Sequence, residues 1–324
     1  MTGISARTWS LLAYSLLGIV LLLFPYAVPN YLLTLLISIL IFSIYAGSVN
    51  LLYGYNGRIS IGHATFWGSG AYVVAILTTR GIIHNFFLVL LVSLLIVTAI
   101  GVTIGFLVNR VGGVYFMILT FAFGHIFYSL AAYILTPLTG GEDGIKVIAR
   151  PDLGLPWTMT RDWNFYYLVL VFFAVSYFLF RCIVRSPFGY TLVGIRDNER
   201  RMLTLGYNVQ QYKYICYVLS AVFAGLAGTL YAYFALFVST SELHWFWSGE
   251  VVLMVLMGGM GTLWGPAIGA ALFTILRYYV SIFTDHWLLA LGVVLILIVL
   301  FLPKGISGFF LGIRTRSKNG STQS

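Results

Sequence analysis

Residues 111–135 read VGGVYFMILTFAFGHIFYSLAAYIL, a run of 25 positions without a single Asp, Glu, Lys or Arg. An α-helix rises about 1.5 Å per residue, so this run can cross the roughly 30 Å hydrocarbon core of a bilayer with some tilt. Further apolar runs lie on both sides of it, at residues 11–28, 31–50, 59–79, 85–108, 163–180, 214–238 and 286–302. This repetition predicts a bundle of membrane-spanning helices.

The composition excludes the soluble classes of protein. Of the 324 residues, 60% are hydrophobic and 8% are charged, which is too few charges to cover a soluble surface of this size. The net charge of +9 does not indicate nucleic-acid binding, because the Lys and Arg residues lie between the apolar runs and form no single basic face. Cys182 and Cys216 show neither a disulfide framework nor the spacing of metal ligands.

The run at residues 251–280 is the hardest to assign, because the glycine-rich sequence GGMGTLWGP at 258–266 interrupts it. Two full spans need about 40 residues, so the run predicts either two short, tilted helices or one re-entrant hairpin. The first choice gives about ten transmembrane helices, and the second gives eight plus a re-entrant segment. Both choices predict an all-α polytopic membrane protein.

The distribution of charge predicts the orientation. With both termini in the cytoplasm, the cytoplasmic segments hold 13 basic and 2 acidic residues, whereas the external segments hold 5 basic and 7 acidic residues. An excess of Lys and Arg is typical of the cytoplasmic side. We therefore predict two cytoplasmic termini, a single transmembrane domain at 1–312, a polar cytoplasmic tail at 313–324 and an external loop at 136–162.

The cytoplasmic segment at 186–212 contains the densest cluster of charges. Residues 190–205 predict a helix, because Pro187 and Gly189 precede it and Gly206 falls where a C-terminal cap belongs. Five of six consecutive residues in this helix are charged, and each would cost about 2.5–3.5 kcal/mol at the centre of a bilayer. The helix must lie outside the lipid, either as a solvated connector or as a docking surface for a partner.

Several sequence blocks in this chain resemble a known family. The charged segment contains SPFGY at 186–190, GIRDNE at 194–199 and LGYN at 205–208. Five further blocks are NLLYGYNGRISIGHA at 50–64, LTFAFG at 119–124, TGGEDG at 139–144, FAGLAG at 223–228 and GGMGTLWGP at 258–266. In this order they resemble the permease subunits of ABC importers for branched-chain amino acids, the LivM type, over most of the chain.

The resemblance implies an alternating-access permease subunit in the bacterial inner membrane, without an ATPase site of its own. A cytoplasmic coupling helix, here between spans 6 and 7, would dock in a groove of an ATP-binding subunit. The residues at that contact would be Arg196, Asp197, Asn198, Glu199 and Arg200. The implied partners are a second homologous permease of the LivH type, two ATP-binding cassette subunits and a periplasmic amino-acid-binding protein, all assembled in the lipid bilayer.

Two other functions stay open at this point. A permease of a urea or short-amide ABC importer shares these blocks, and an ATP-independent channel or carrier would be a different class. None of the four lysines lies in a P-loop, so ATP and Mg²⁺ would be bound by the partner subunits and no cofactor by this chain. The sequence also predicts no catalytic residues and no metal site.

The glycine-rich stretch at 54–70 predicts either a broken helix or very close packing between helices. A broken helix exposes an N-terminus, whose N–H groups and dipole suit a substrate carboxylate. The candidates for a translocation path, including one residue from the second glycine-rich stretch, are Gly62, His63, Phe66, Gly124 and Gly259.

The predicted external loop contains a second candidate surface. It is too long and polar for a simple connection, which is typical of loops that dock a partner or gate a pathway. The candidate docking residues in its TGGEDG block are Gly141, Glu142 and Asp143.

Overall fold

A computed structural model describes residues 28–147 and 162–283, together with residues 25, 150, 286, 289, 292–294, 296, 300 and 305–308. Most of the predicted first span at 11–28, most of the last span at 286–302 and the tail at 313–324 lie outside these residues. The long helices are α1 (Asn30–Asn50), α2 (Ala64–Thr79), α3 (Phe86–Val108), α4 (Gly113–Ser129), α5 (Asp162–Val184), α6 (Pro187–Asp197), α7 (Glu199–Thr204), α8 (Val209–Ala235), α9 (Trp245–Gly258) and α10 (Gly265–Phe283).

Shorter elements extend or connect these helices. Two π-helical turns, Leu51–Tyr55 and Leu130–Ile134, continue α1 and α4. One α-helical turn covers Thr136–Thr139, and 3-10 turns cover Gly141–Asp143 and Thr240–Leu243. Strands β1 (Ile145–Lys146) and β2 (Phe237–Val238) pair antiparallel, with Ile145 opposite Val238.

The prediction of an all-α polytopic protein is confirmed. Within the described residues, six helices are long and apolar enough to cross a membrane: α1 and α4 with their π-turns, and α3, α5, α8 and α10. The run at 251–280 forms two helices around a glycine turn, the first starting earlier than predicted, at Trp245. Because α9 has only 14 residues and spans about 21 Å, the choice between ten and eight spans stays a prediction.

Helix α2 begins inside the bundle, at Ala64, later than the start of the apolar run at 59–79. Residues 56–63 are irregular, and the N–H of Ala64 donates to Oγ of Ser248 at 2.7 Å. Since Ser248 lies ten residues before the end of α9, α2 starts about 15 Å from that end. Irregular backbone at such a depth must be enclosed by protein, and most of the side chains in 56–63 are buried.

Helix α8 forms the centre of the bundle and packs against α1, α2 and α3. Small residues allow these helices to approach closely. A Cβ on Gly228 would overlap the carbonyl oxygen of Trp67, and a Cβ on Gly70 would overlap that of Gly225. Backbone contacts of this kind are a main source of helix association in membranes, where burial of apolar side chains gives little advantage over lipid.

The bundle has two chemically different ends. The end that carries α6 and α7, here called the coupling end, also contains the C-terminus of α1 and the turn at 259–264. The opposite end, here called the distal end, contains the β1–β2 pair. There Arg80 Nη2 donates to the carbonyl of Pro137 at 2.7 Å.

The charged segment contains two helices, and the prediction of a single helix over 190–205 is wrong. The first begins at Pro187, where Oγ of Ser186 accepts the N–H of Gly189 at 3.3 Å. It stops because Asn198 is extended, with φ −158°, and its Oδ1 accepts the N–H of Arg201 at 2.9 Å to start α7. Asn favours such caps over helix interiors. The predicted stop at Gly206 is confirmed by its φ of +85°.

Candidate translocation and coupling sites

Four of the five path candidates lie together where α2 enters the bundle. A Cβ on Gly62 would overlap the carbonyl oxygen of Thr120, and a Cβ on Gly124 would lie 3.2 Å from Cα of Gly62. The rings of His63 and Phe66 pack edge to face, with centroids 5.4 Å apart. The segment before α2 is therefore wedged against α4 by direct backbone contact.

The fully buried His63 is held by a chain of hydrogen bonds. Its Nε2 lies 2.8 Å from Oγ of Ser220, and that hydroxyl donates to the carbonyl of Ser48 at 2.5 Å. Because the hydroxyl proton is committed to Ser48, Nε2 of His63 carries the donated hydrogen and Nδ1 remains as an acceptor. The chain joins the entry of α2 to α8 and α1.

Buried polar atoms near this entry have no hydrogen-bond partner among the described residues. Those closest to the start of α2 include Oγ of Ser60, Nδ1 of His63 and Oγ1 of Thr65. Each of these side chains is at most 1% exposed. Buried polar groups are normally satisfied, so three unsatisfied groups within six residues are suited to bind water or the polar groups of a solute.

The fifth path candidate, Gly259, lies apart from the others, in the turn between α9 and α10 at the coupling end. It has φ +108°, a conformation that residues with a side chain rarely adopt. A Cβ on the described Gly305 would overlap Cα of Gly259. Its position fits a turn that requires glycine.

Arg196 lies at the C-terminus of α6 and contacts the bundle. Its Nη1 donates to the carbonyl of Gly54 at 2.5 Å, while Nε and Nη2 donate to Oδ1 of Asp197 at 3.1 and 3.0 Å. The intramolecular contact with Gly54 was not predicted. The sequence signal for this contact is the pair Gly54 and Gly57; a Cβ on Gly57 would overlap Cγ of Arg196, so glycine lets that side chain approach.

The other predicted coupling residues divide between the bundle and the surface. Glu199 forms an ion pair with Nζ of Lys213 at 2.5 Å, and the Lys213 side chain is only 4% exposed. Arg200 and Arg201 are exposed. The segment is thus fixed to the bundle through Arg196 and Glu199, and it presents Arg200 and Arg201 outward.

The predicted docking residues at the distal end form a tight turn. Gly141 has φ +58° and is buried, whereas Glu142 and Asp143 are exposed. Glu142 also lines a cavity of about 410 Å³, whose other lining residues are Tyr128, Ser239, Thr240, Ser241, His244, Phe246 and Trp247. Because several of these lining residues are polar, the cavity can admit a small polar solute.

Sequence reasoning missed an aromatic cluster that borders this cavity. His125 stacks on Tyr128 with centroids 5.7 Å apart, and Tyr128 meets His244 edge to face at 5.6 Å. Burial, and then the nearby His125, lower the pKa of His244. The HWFW sequence at 244–247 was the available signal.

An ion pair between two helices was not predicted, although both of its residues are among the charges assigned to the external side. Glu250 of α9 is 4% exposed, and Arg277 of α10 donates to its Oε2 at 3.2 Å. Arg277 also lines a cavity of about 490 Å³ with Phe42, Tyr231 and Trp247 among its walls. Within the described part of the chain, no group of three metal-binding side chains comes together.

Comparison with known proteins identifies the family. The family described as branched-chain amino acid transport system, permease component, matches residues 31–302. The chain belongs to this permease family. It is a multi-pass membrane protein and the permease component of an ABC importer, and the family favours this function over the urea or short-amide alternative and over a channel.

Individual relatives agree with this assignment. The permease is 30% identical over 290 residues to the high-affinity branched-chain amino acid transport system permease protein LivM of Escherichia coli, covering 82% of this chain and 68% of that protein. The Salmonella typhimurium LivM is 31% identical with the same coverage. A guanosine ABC transporter permease protein, NupQ of Bacillus subtilis, is 31% identical over 115 residues, 33% of each chain. No solved structure matches the permease.

Proposed function

We propose that this permease imports branched-chain or similar hydrophobic amino acids across a bacterial inner membrane by alternating access, driven by separate ATP-binding subunits. Its partners are a second, LivH-type permease, two ATP-binding cassette subunits, which bind ATP and Mg²⁺, and a periplasmic amino-acid-binding protein. The family match and the LivM relatives support the substrate class. The observation that carries the mechanism is a charged helix pair, α6 and α7, packed on one end of an apolar bundle.

The coupling end faces the cytoplasm, as do both termini. The basic residues Arg58, Arg110, Arg196 and Arg200 support this orientation, because they lie at or next to that end, and Lys and Arg favour the cytoplasmic side. The distal end, with Glu142 and Asp143, then faces the binding protein.

The docking surface for the ATP-binding subunit centres on the outer side of the helix pair. Arg200 and Arg201 supply charge, and Tyr190, Leu203 and Leu205 expose 54–69% of their surface. Asp197 and Asn198 lie beside them and are also exposed. A surface that combines exposed large apolar side chains with arginine is typical of protein interfaces.

Charge reversal tests the docking surface. In the Arg200→Glu, Arg201→Glu double variant, co-purification of the ATP-binding subunit should fall about tenfold or more, which corresponds to roughly 1.4 kcal/mol. The matched control reverses Arg110 and Arg185, two exposed arginines outside α6 and α7, and should leave co-purification unchanged. Equal losses in both variants would contradict docking at this surface.

The translocation path passes the entry of α2. Gly62, His63, Phe66 and Gly124 border the irregular segment there, and its unpaired polar atoms support a role in contacting solute. Helix α4 is mostly exposed within the described part of this chain, so it is available to pack against the second permease. The path then lies at the interface between the two permeases.

Uptake by the reconstituted complex tests the substrate class. Proteoliposomes containing all subunits and the binding protein should accumulate labelled leucine, isoleucine or valine when ATP is enclosed, and should not accumulate urea. Uptake of urea alone, or uptake that persists without the ATP-binding subunits, would contradict the proposal.

A further inference from the structure

Three parts of the chain meet at the carbonyl oxygen of Gly54. This carbonyl belongs to the π-turn that ends α1, and it accepts Nη1 of Arg196 at 2.5 Å. A Cβ on Gly261, in the α9–α10 turn, would lie 3.2 Å from that carbonyl oxygen and 3.2 Å from Nη1 of Arg196. Arg196 therefore bonds to the end of α1 and lies next to the α9–α10 turn.

The arginine satisfies a carbonyl that the helix cannot satisfy itself. The carbonyls of Leu51, Leu52 and Tyr53 accept backbone N–H groups of residues 56, 58 and 57, at 3.1–3.3 Å. The next carbonyl, that of Gly54, receives its hydrogen bond from Arg196. The C-terminus of a helix carries partial negative charge, so a guanidinium is well suited to this position.

Asn50 links the same helix end to the α9–α10 turn independently of Arg196. Its Nδ2 donates to the carbonyl of Thr262 at 2.9 Å, and its Oδ1 accepts the N–H of Gly261 at 2.9 Å. Asn50 is 3% exposed, so both hydrogen bonds are shielded from water. The end of α1 and the turn thus form one fixed unit, to which Arg196 attaches α6.

Glycines with positive φ lie within this unit and next to it. Gly57 and Gly261 have φ +73° and +72°, and Gly259 has φ +108°. Gly57 precedes the irregular segment that leads to His63, whereas Gly259 and Gly261 connect α9 to α10. These contacts connect α6 to the chain that leads to the entry of α2 on one side and to α10 on the other.

We propose that Arg196 is a positioning residue that transmits movement of the coupling segment to these two glycine turns, and that it makes no contact with the ATP-binding subunit. This inference rests on the proposed function. It separates two tasks within one short segment: Arg200 and Arg201 hold the partner, and Arg196 passes its movement to the bundle. Arg196 acts through the unit formed by Asn50 and the turn, and it does not touch the solute.

The test uses the complete transporter in proteoliposomes with a ligand-loaded binding protein. The Arg196→Gln variant should retain the ATP-binding subunits on co-purification, but stimulation of ATP hydrolysis by the binding protein and uptake of leucine should both fall about tenfold, as expected for loss of a charge-assisted hydrogen bond. Arg196→Lys should recover part of this loss, because an ammonium keeps the positive charge next to the C-terminus of α1. Arg185→Gln, an exposed neighbour outside the contact, should behave as wild type.

A second variant keeps the test decisive if Arg196→Gln does not insert. Asn50→Ala removes the link between α1 and the turn, so it should also lower uptake and the stimulation of ATP hydrolysis. Combining it with Arg196→Lys should lower them little further, because both residues act through the same unit. Loss of the ATP-binding subunits in Arg196→Gln, or normal stimulation and uptake, would overturn the inference. If the wild-type complex responds to the binding protein but accumulates no branched-chain amino acid, the proposed substrate is wrong, while the Arg196 comparison is still decided by ATP hydrolysis.

Discussion

Glycines in the bundle interior and glycines at its coupling end are constrained in different ways. A Cβ on Gly62 or Gly228 would overlap a backbone carbonyl of a neighbouring segment, so these positions are limited by space. Gly259 and Gly261 are limited by conformation, with φ +108° and +72°. The first group determines how closely helices pack, and the second determines where the chain can turn.

This difference predicts separate consequences for the same substitution. Alanine at an interior glycine forces two backbones apart and lowers the stability of the fold. Transport should then fall because less of the permease is folded. Alanine at a turn glycine costs backbone strain, which is smaller, but it acts where we propose that movement is transmitted. Stability and transport should therefore separate between the two groups.

The largest loss of stability is expected for Gly228→Ala. The added Cβ would overlap the carbonyl oxygen of Trp67, in the buried contact between α8 and α2, where neither backbone can shift freely. Overpacking of this kind costs about 3 kcal/mol, the upper end of the usual range. The melting temperature of the purified permease should fall accordingly. An unchanged melting temperature would show that α2 and α8 do not make this close backbone contact.

Gly62→Ala should cause the next largest loss of stability, and Gly124→Ala, on the other side of the same contact, is its matched control. A Cβ on Gly62 would overlap the carbonyl oxygen of Thr120, whereas a Cβ on Gly124 would lie 3.2 Å from Cα of Gly62. We expect a loss of about 2 kcal/mol for Gly62→Ala and under about 1 kcal/mol for Gly124→Ala. Thermal unfolding of both variants measures the difference, and equal losses would contradict the wedge between α4 and the entry of α2.

The sequence predicted the elements of this fold better than their breaks. Apolar run length was enough to find the helices, because a spanning helix must be long and uncharged. It did not show that α2 starts at Ala64, because residues 59–63 are as apolar as many helical ones and their irregular backbone depends on enclosure by α4 and on Ser248. Glycine content alone did not distinguish glycines that allow helices to pack closely from glycines that allow the chain to turn.

The candidate site was predicted only in part for the same reason. Charge density located the segment around Arg196, but the partner of each charge is set by tertiary contacts. Arg196 bonds to Gly54, 142 residues away in sequence, and Lys213 is buried against Glu199. Similarly, Glu250 and Arg277 pair inside the bundle although they lie 27 residues apart. Such pairings depend on topology, which local patterns do not contain.

The turn glycines should separate transport from stability. Gly261→Ala and Gly113→Ala each place a side chain at positive φ, +72° and +59°, at a cost of about 1–2 kcal/mol. A Cβ on Gly261 would also press on Nη1 of Arg196, whereas nothing lies within 4 Å of a Cβ on Gly113. Both variants should lose similar stability, but only Gly261→Ala should lose uptake beyond that loss. Equal uptake at equal stability would show that the turn has no special role in transport.

The smallest effect is expected for Gly249→Ala, which tests whether interior glycines are required as a class. Gly249 lies inside α9 with ordinary helical φ, and nothing lies within 4 Å of an added Cβ. Because alanine favours the helix over glycine by about 1 kcal/mol, this variant should be as stable as wild type or more stable by up to that amount. Thermal unfolding in detergent measures the shift. A clear loss of stability would contradict the open space that the described residues leave around this position.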